Sequence, residues 1–289
     1  MSIRINWKNP SQPFDEIQIF RTNAPFTYGA IPADPIVTLT TETTWLDTTA
    51  LQDTIYYYTI VTKVGDELIL TPSQLAVHVP YTGPGSQEIL CGDMIRGFFG
   101  LVAQTDLFTN LELIAAVGGI FANNAVTQTW AKFAYKGKIL FIPLMAVSGN
   151  ASWQVCYDYG LAYGMDNNGP ANGNTRPPKN QKKVVSKNEH DFMLRLPRAN
   201  NSENWSGAFP NQTEGEWYGL IRCLFNAGEA LSDQPVATYF TNNSNTLMAE
   251  LNGAGICPTG YVSSNQFSNS QVTIAATGHM WRPVLELIY

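Results

Sequence analysis

The sequence has few charged residues and few of the residues that usually bind metals. Asp, Glu, Lys and Arg together make up 14% of the 289 residues, whereas about a quarter is usual. The chain has 3 histidines and 4 cysteines, and no two cysteines form a C-x-x-C pair. These absences argue against a zinc site, and we expect neither a metal nor a cofactor. The cysteines, Cys91, Cys156, Cys223 and Cys257, are expected to be buried free thiols.

Long apolar runs are also missing. No stretch approaches the length of about 18 residues that a membrane-spanning helix needs, so we expect no membrane span. The first residues, M-S-I-R-I-N-W-K, lack the charged-then-apolar pattern of a secretory signal peptide. We therefore expect synthesis in a cytoplasm, with the protein staying there unless another route releases it.

The composition argues against a nucleic-acid binder and for a folded protein. The net charge is −6 and the isoelectric point is near 5.1, which is the wrong sign for a protein that binds phosphate backbones. Apolar residues make up 44% and aromatic residues 12%, which is enough to fill packed cores. A surface rich in Asn, Thr, Ser and Gln is typical of a protein that is buried in an assembly or works outside the cell.

The first 81 residues show the pattern of a β-sandwich. Short runs of strand-forming residues recur every 8–15 positions, separated by turns that contain Pro and Gly, and no helical period interrupts them. These runs are Ile3–Trp7, Ile17–Arg21, Ile36–Leu39, Ile55–Val61, Glu67–Leu70 and Leu75–Val79. Their order resembles that of a fibronectin type III or immunoglobulin-like domain. Tyr56 or Tyr58 would then be the tyrosine whose hydroxyl folds back to the backbone at a sheet corner.

Residues 82–90 are predicted to be a linker, and residues 91–289 a loop-rich α+β domain. A β-hairpin is predicted over 129–142, with Gly137 in its tight turn, and a strand over Val284–Ile288 at the end of the chain. Helices are predicted after Thr105-Asp106, after the N-cap Ser152, and from about Glu214. Another strand is predicted near Asp191–Leu196. Polar loops are predicted at 164–188, 198–213 and 239–270.

Two features of this second region are candidate contact sites. Five positive charges fall within residues 176–187, at Arg176, Lys179, Lys182, Lys183 and Lys187. This segment could bind phosphate or an anionic polysaccharide, or it could be a solvated loop or contact an acidic neighbouring subunit. Trp205, in a polar loop, could stack on a sugar or anchor a protein interface, or it could fold inward as a loop anchor.

The sequence evidence for catalytic residues is weaker than that for the contact sites. His190-Asp191 could be half of a catalytic pair, although a histidine at such a position is more often structural. Glu214 and Glu216 could serve a glycosidase, but helix capping is the better explanation for two acids at a helix start. The common hydrolase, metalloprotease and nucleotide-binding motifs are missing. The sequence therefore predicts a protein that is not an enzyme.

Five segments of the second region carry a resemblance to a known family. They are T-W-A-K-F-A-Y-K-G-K-I-L-F-I-P (129–143), S-W-Q-V-C-Y-D-Y-G-L-A-Y-G (152–164), F-M-L-R-L-P-R-A (192–199), G-E-W-Y-G-L-I (215–221) and G-H-M-W-R-P-V-L-E-L-I (278–288). In this order and spacing, they resemble virion structural proteins of tailed bacteriophages. The chain departs from the family pattern after the hairpin, where P-L-M-A-V-S-G-N (143–150) replaces the usual basic residues.

The resemblance implies a structural component of the virion, such as a tail, collar or capsid decoration protein. Its partners would be other virion proteins and further copies of itself, and the N-terminal sandwich would dock on the particle. The alternative is a receptor-binding, lectin-like module that contacts host surface glycans through the loops around Trp205 and 239–270. A depolymerising enzyme would need a carboxylate pair that the sequence does not reveal.

Overall fold

The chain is mostly β-sheet and packs as two compact units, Met1–Tyr81 and Thr82–Tyr289. This computed structural model describes residues 2–26, 34–51, 54–79, 81–170, 176–199, 215–221, 223, 245–250, 256–260, 267–271 and 279–289.

The described residues of the first unit form seven strands in two sheets. They are β1 (Ile3–Asn6), β2 (Glu16–Thr22), β3 (Val37–Leu39), β4 (Thr44–Asp47), β5 (Ile55–Val64), β6 (Glu67–Leu70) and β7 (Gln74–Val77). β1 pairs with β4, and the other sheet has the order β3-β2-β5-β6, with β7 also paired to β5. The strands predicted from sequence are present, and β4, with the sequence T-W-L-D, is an additional one.

The two sheets of the first unit share one apolar core. Alternate residues of β1, Ile3 and Ile5, point inward and are buried, whereas Arg4 and Asn6 are exposed. They pack with buried residues of β2 and β5, including Ile19 and Tyr58. Period-two alternation thus forms a core between two sheets, as the sequence pattern predicts.

Asp47, at the end of β4, is the polar centre of this unit. Its carboxylate is fully buried and accepts hydrogen bonds from the Tyr58 hydroxyl at 2.6 Å, from Arg21 Nη1 at 2.7 Å, and from the backbone N–H and hydroxyl of Thr49. Burial opposes the ionised form, but these bonds lower the pKa of Asp47. Burial and the same carboxylate raise the pKa of Tyr58. Tyr56 instead accepts a bond from the backbone N–H of Leu51 at 3.3 Å, so it is the tyrosine that reaches back to the chain.

The second unit is built on a seven-stranded sheet. Its strands are β8 (Cys91–Gly92), β9 (Arg96–Ala103), β10 (Thr129–Tyr135), β11 (Lys138–Pro143), β12 (Val184–Lys187), β13 (His190–Arg195) and β18 (Val284–Ile288), in the order β12-β13-β18-β11-β10-β9-β8. A second sheet contains β14 (Asn245–Leu247), β15 (Ile256–Gly260), β16 (Phe267–Gln271) and β17 (His279–Met280), in the order β16-β15-β14-β17.

The predicted hairpin is confirmed as β10 and β11. Trp130 faces Pro143 at one end of the ladder, and Tyr135 faces Lys138 at the turn. The two turn residues, Lys136 and Gly137, have φ values of 49° and 82°. Left-handed backbone at both positions matches the right-handed twist of the flanking strands. This requirement explains why glycine occupies position 137.

The C-terminal strand, β18, lies in the interior of the sheet between β13 and β11. Val284 and Leu285 are consecutive and both fully buried, so both faces of the strand are covered. Alternation with Leu285 and Leu287 predicts from the sequence that Glu286 points outward, but this is wrong: its side chain is only 16% exposed and pairs with Arg195 and Lys138. Alternation separates two faces of a sheet, but it indicates exposure only where one face meets water.

In the part of the second unit that the structure describes, two short helices and a helical segment accompany the sheet. α1 (Asn110–Ala116) is capped by Thr109, which forms a capping box with Glu112, so the predicted cap at Thr105-Asp106 lies one turn too early. α2 (Trp153–Asp158) begins after Ser152, whose hydroxyl accepts from the Val155 N–H, as predicted. Residues 216–221 are helical, where a helix was predicted from about Glu214.

Several strands lie where the sequence predicted loops or gave no element. β12 falls within the predicted loop 164–188, and β14, β15 and most of β16 fall within 239–270. β9 has no counterpart in the sequence prediction. The segments of β14–β16 are rich in Asn, Ser, Thr and Gly, so they lack the apolar alternation that marks a strand. These segments form strands because their backbones pair with neighbouring strands in the folded chain.

The first unit should fold without the second, because it has its own core. A fragment of residues 1–81 is expected to show a β-type circular dichroism spectrum and a cooperative thermal transition. Asp47→Ala should lower its unfolding free energy by about 1–3 kcal/mol, since the Tyr58 hydroxyl loses its buried acceptor. The exposed Asp66→Ala is the matched control and should have little effect. A disordered fragment would contradict an independent first unit.

Removal of the C-terminal strand should unfold the second unit. Deleting residues 281–289 takes away four large, buried apolar side chains, Trp281, Val284, Leu285 and Leu287. At roughly 1.5–3 kcal/mol each, this loss is comparable to the whole stability of a domain, about 5–15 kcal/mol. The truncated protein should be insoluble on expression. Removing only the exposed Tyr289 is the control and should leave a soluble protein; equal solubility of both would show that β18 is dispensable.

Candidate partner-binding surface

The basic segment 176–187 runs along the surface and leads into β12 at the edge of the large sheet. Residues 176–180 and Lys182 are exposed, and Lys183 is half-buried. Arg176 reaches the last residue of α2: its Nε and Nη2 donate to the two carboxylate oxygens of Asp158, with Nε to Oδ1 at 3.0 Å. This bidentate geometry fixes the guanidinium plane against its own chain.

Two lysines of the same segment are also neutralised within the chain. Lys182 Nζ lies 2.8 Å from Asp166 Oδ2, and Lys187 Nζ pairs with Glu112 of α1. Exposed pairs of this kind contribute only about 0–1 kcal/mol to stability. Their larger effect is on the surface field, because each carboxylate cancels a charge that an anionic ligand would need.

Lys179 and Lys183 are the two basic side chains of the segment that form no ion pair with any residue the structure describes. Three of the five predicted basic side chains thus form ion pairs within the chain, and two form none with a described residue. This arrangement lacks the concentrated positive charge that a phosphate site needs. Trp205, the other predicted contact residue, lies outside the described residues.

The candidate acid Glu216 is part of a buried ion network. Arg195, on β13, donates from Nη1 and Nη2 to the two carboxylate oxygens of Glu216 at 2.8 and 2.7 Å. Its Nε donates to Glu286 of β18 at 3.0 Å, and Glu286 also pairs with Lys138 of β11. The side chains of Arg195 and Glu216 are only 1% and 3% exposed. Glu214 lies outside the described residues.

The pKa values in this network follow from burial and mutual charge. Burial works against the charge of Arg195, but the carboxylates of Glu216 and Glu286 outweigh it and raise the pKa of the guanidinium. Burial also opposes ionisation of Glu286, yet Arg195 and then Lys138 lower its pKa to about 2. Glu286, which is ionised and paired with both Arg195 and Lys138, is therefore poorly suited to act as a general acid, whose pKa would need to lie near neutrality.

The remaining catalytic candidates are not brought together. His190 is half-exposed at the start of β13 and packs edge-on to Phe192 at 6.3 Å, while Asp191 accepts a bond from the Ser186 hydroxyl. Within the described ranges, no group of three or more His, Cys, Asp or Glu residues could hold a metal ion. No described helix has the length and apolar character needed to cross a membrane.

Sequence reasoning overlooked the charged residues inside the second unit. Lys132, Arg195 and Arg282 are 0–1% exposed, and burial lowers the pKa of Arg282 to about 9. A signal was present, because Lys132 and Arg195 each interrupt an apolar strand, in W-A-K-F-A and F-M-L-R-L. Charged residues are almost never fully buried unless they are paired, so such interruptions indicate a buried partner.

In comparisons with known proteins, no family model, no curated protein and no solved structure matches the chain. The resemblance to virion proteins therefore stands on the five sequence segments.

The ion network should make the stability of the second unit depend on acid pH. Because the folded pKa of Glu286 is about 2 and its ordinary value is 4.5, its contribution is complete above pH 4.5 and is lost as pH falls toward 2. The loss is on the order of 3 kcal/mol. Urea unfolding between pH 2 and 6, comparing the protein with Glu286→Gln, should show a flatter profile for the variant.

The control for this experiment is Asp166→Asn, which removes an exposed partner of Lys182. Its profile should stay close to that of the unmodified protein. Identical slopes for the unmodified protein and Glu286→Gln would show that the network contributes nothing to acid stability.

Proposed function

We propose that the chain is a structural component of a tailed bacteriophage particle, acting through protein–protein interfaces as a tail, collar or capsid decoration protein. The observation that carries the structural role is the engagement of Glu216: the described candidate acid is held bidentately by a buried arginine. A carboxylate held in this way stabilises a fold, and both of its oxygens already accept hydrogen bonds from the guanidinium. The phage setting rests on the five segments that resemble virion proteins.

The placement of those segments supports the same role. Their large side chains lie in the core and contribute to packing, with Trp130, Trp153 and Trp281 at most 1% exposed. The segments in which the chain resembles virion proteins thus supply residues of its core. A particle component needs a stable core of this kind, with polar surfaces that meet neighbouring subunits.

The first unit would be the docking module, with a fibronectin type III or immunoglobulin-like sandwich. Its strand pairing supports this, because β1 pairs with β4 while β3, β2, β5 and β6 form the facing sheet, with β7 joined to β5. The bond from the Leu51 N–H to the Tyr56 hydroxyl supports it as well, since such sandwiches carry a tyrosine that bonds to the backbone a few residues upstream.

The proposal predicts that the protein occurs in purified phage particles at a fixed ratio to the major capsid protein. Quantitative mass spectrometry of gradient-purified particles would measure this ratio. The purified protein should give no signal on a glycan array and should not hydrolyse host polysaccharide. Absence from particles would contradict the proposal.

A glycan signal would point to the receptor-binding alternative if Trp205→Ala abolished it. Trp205→Phe is the matched control, because a phenyl ring still stacks on a sugar face. Signal loss in the alanine variant with retention in the phenylalanine variant would assign binding to that loop, and the structural role would then be incomplete.

A further inference from the structure

One edge of the five-stranded sheet in the first unit exposes apolar side chains. β6 is the last strand in the order β3-β2-β5-β6, and among the described strands only β5 pairs with it. Its two middle residues, Leu68 and Ile69, are 44% and 56% exposed. Natural sheet edges are usually protected by lysine, proline or a bulge, because an open apolar edge can pair with another strand. β6 has neither lysine nor proline, and its one charged residue, Glu67, stands at its start.

The backbone of β6 has hydrogen-bonding groups that point away from β5. Just after the strand, the Thr71 N–H donates to the backbone oxygen of Ile60 on β5. The bonding direction alternates along an antiparallel strand, so the N–H and C=O groups of Leu68 and Leu70 point to the open side of the sheet. A further strand could therefore add to this edge while the pairing with β5 stays intact.

The edges of the seven-stranded sheet in the second unit differ from β6. At one edge, β12 follows directly after Lys183 and ends in Lys187. Lysine at a sheet edge opposes pairing with another strand, since its ammonium group has to stay in water. At the other edge, β8 has only two residues. Compared with these two edges, β6 is both longer than β8 and less protected than β12.

The sequence of β6 is complementary to itself in an antiparallel pairing centred on Ile69. In this register Ile69 faces Ile69 of a second copy and Leu68 faces its Leu70, so apolar residues meet along the strand. Glu67 faces Thr71, and no carboxylate lies opposite another. The two Glu67 residues are about 14 Å apart along the strands, which exceeds the Debye length of about 8 Å at physiological salt. A second copy therefore fits this edge without charge repulsion.

A cavity beside the end of β6 can receive a side chain of the second copy. It is open, has a volume of about 280 Å³ and is lined by Phe26, Leu70, Thr71, Pro72 and Ser73. Residues directly opposite in an antiparallel pair project from the same face, with Cβ atoms about 4.5–5.5 Å apart. Leu68 of the second copy would thus lie beside Leu70, at the wall of this cavity. The two-fold symmetry of the pairing repeats the contact at the other end.

We propose that two copies of the chain associate through β6, in an antiparallel pair with a two-fold axis at Ile69 that joins their five-stranded sheets. Each copy contributes a strand of four residues, so the contact belongs to the weak class that buries less than about 1,200 Å². Such a contact suits copies that are held close together, where a high local concentration offsets a low affinity. The association does not depend on the assignment to a phage particle.

Opposite charges placed at the two-fold axis test the pairing in the full chain. Sedimentation equilibrium would measure association at concentrations from about 10 μM to about 1 mM, the range of weak contacts, and the unmodified chain should form dimers. Ile69→Lys and Ile69→Glu should each weaken the association at least about tenfold, because like charges would face each other. An equimolar mixture of the two variants should recover dimers, since Lys then faces Glu.

The matched control is Leu51→Lys, which adds the same charge at a site of the first unit that is 65% exposed and lies outside β6. This variant should associate as the unmodified chain does. Three outcomes would each overturn the proposal: an unmodified chain that stays monomeric throughout the concentration range, an Ile69→Lys variant that still dimerises, or a mixture that does not recover dimers.

A disulfide provides a second readout that needs no charged substitution. In the proposed register, residue 69 and its counterpart form a non-hydrogen-bonded pair with Cα atoms about 4.5 Å apart, which a disulfide can span. With oxidised glutathione as the oxidant, Ile69→Cys should give a covalent dimer on a non-reducing gel, above the background of the unmodified chain. Leu51→Cys is the control and should not. Equal amounts of covalent dimer in the two variants would contradict the pairing.

Discussion

The second unit depends on one buried guanidinium. Arg195 of β13 joins the helical segment 216–221 through Glu216 and joins β18 through Glu286, which in turn pairs with Lys138 of β11. These elements lie far apart in sequence, so the network closes the long loops between them. The backbone of Gly164 also packs on the arginine stem, where a Cβ would come within 2.7 Å of Cδ. Removing one partner would leave a buried charge uncompensated, which destabilises the fold. This penalty disfavours any fold in which the partners do not meet.

Burial of charge has opposite consequences at two places in this unit. Arg195 meets two carboxylates and holds its proton more firmly, whereas Lys132 meets only neutral oxygens and aromatic rings and has its pKa lowered to about 7. The first arrangement gives a fixed structural tie.

Local signals in the sequence predicted the local structure. Strand alternation and Gly137 predicted the 129–142 hairpin, and Ser152 predicted the start of α2. The Arg195 network could not be predicted in this way, because its members are separated by up to 148 positions. Glu286 was misassigned since alternation does not reveal that both faces of a sheet are covered. β15 was missed because its residues lack strand propensity, and its pairing comes from its neighbours.

A double-mutant cycle between Arg195 and Glu216 tests most directly whether the buried charges are a structural tie. The unfolding free energies of Arg195→Met, Glu216→Gln and the double variant would be compared with that of the unmodified protein at pH 7. We expect a coupling energy of about 2–3 kcal/mol, as for partners in one buried network. A coupling energy below about 0.5 kcal/mol would mean that the two side chains act independently and that the fold does not rest on their contact.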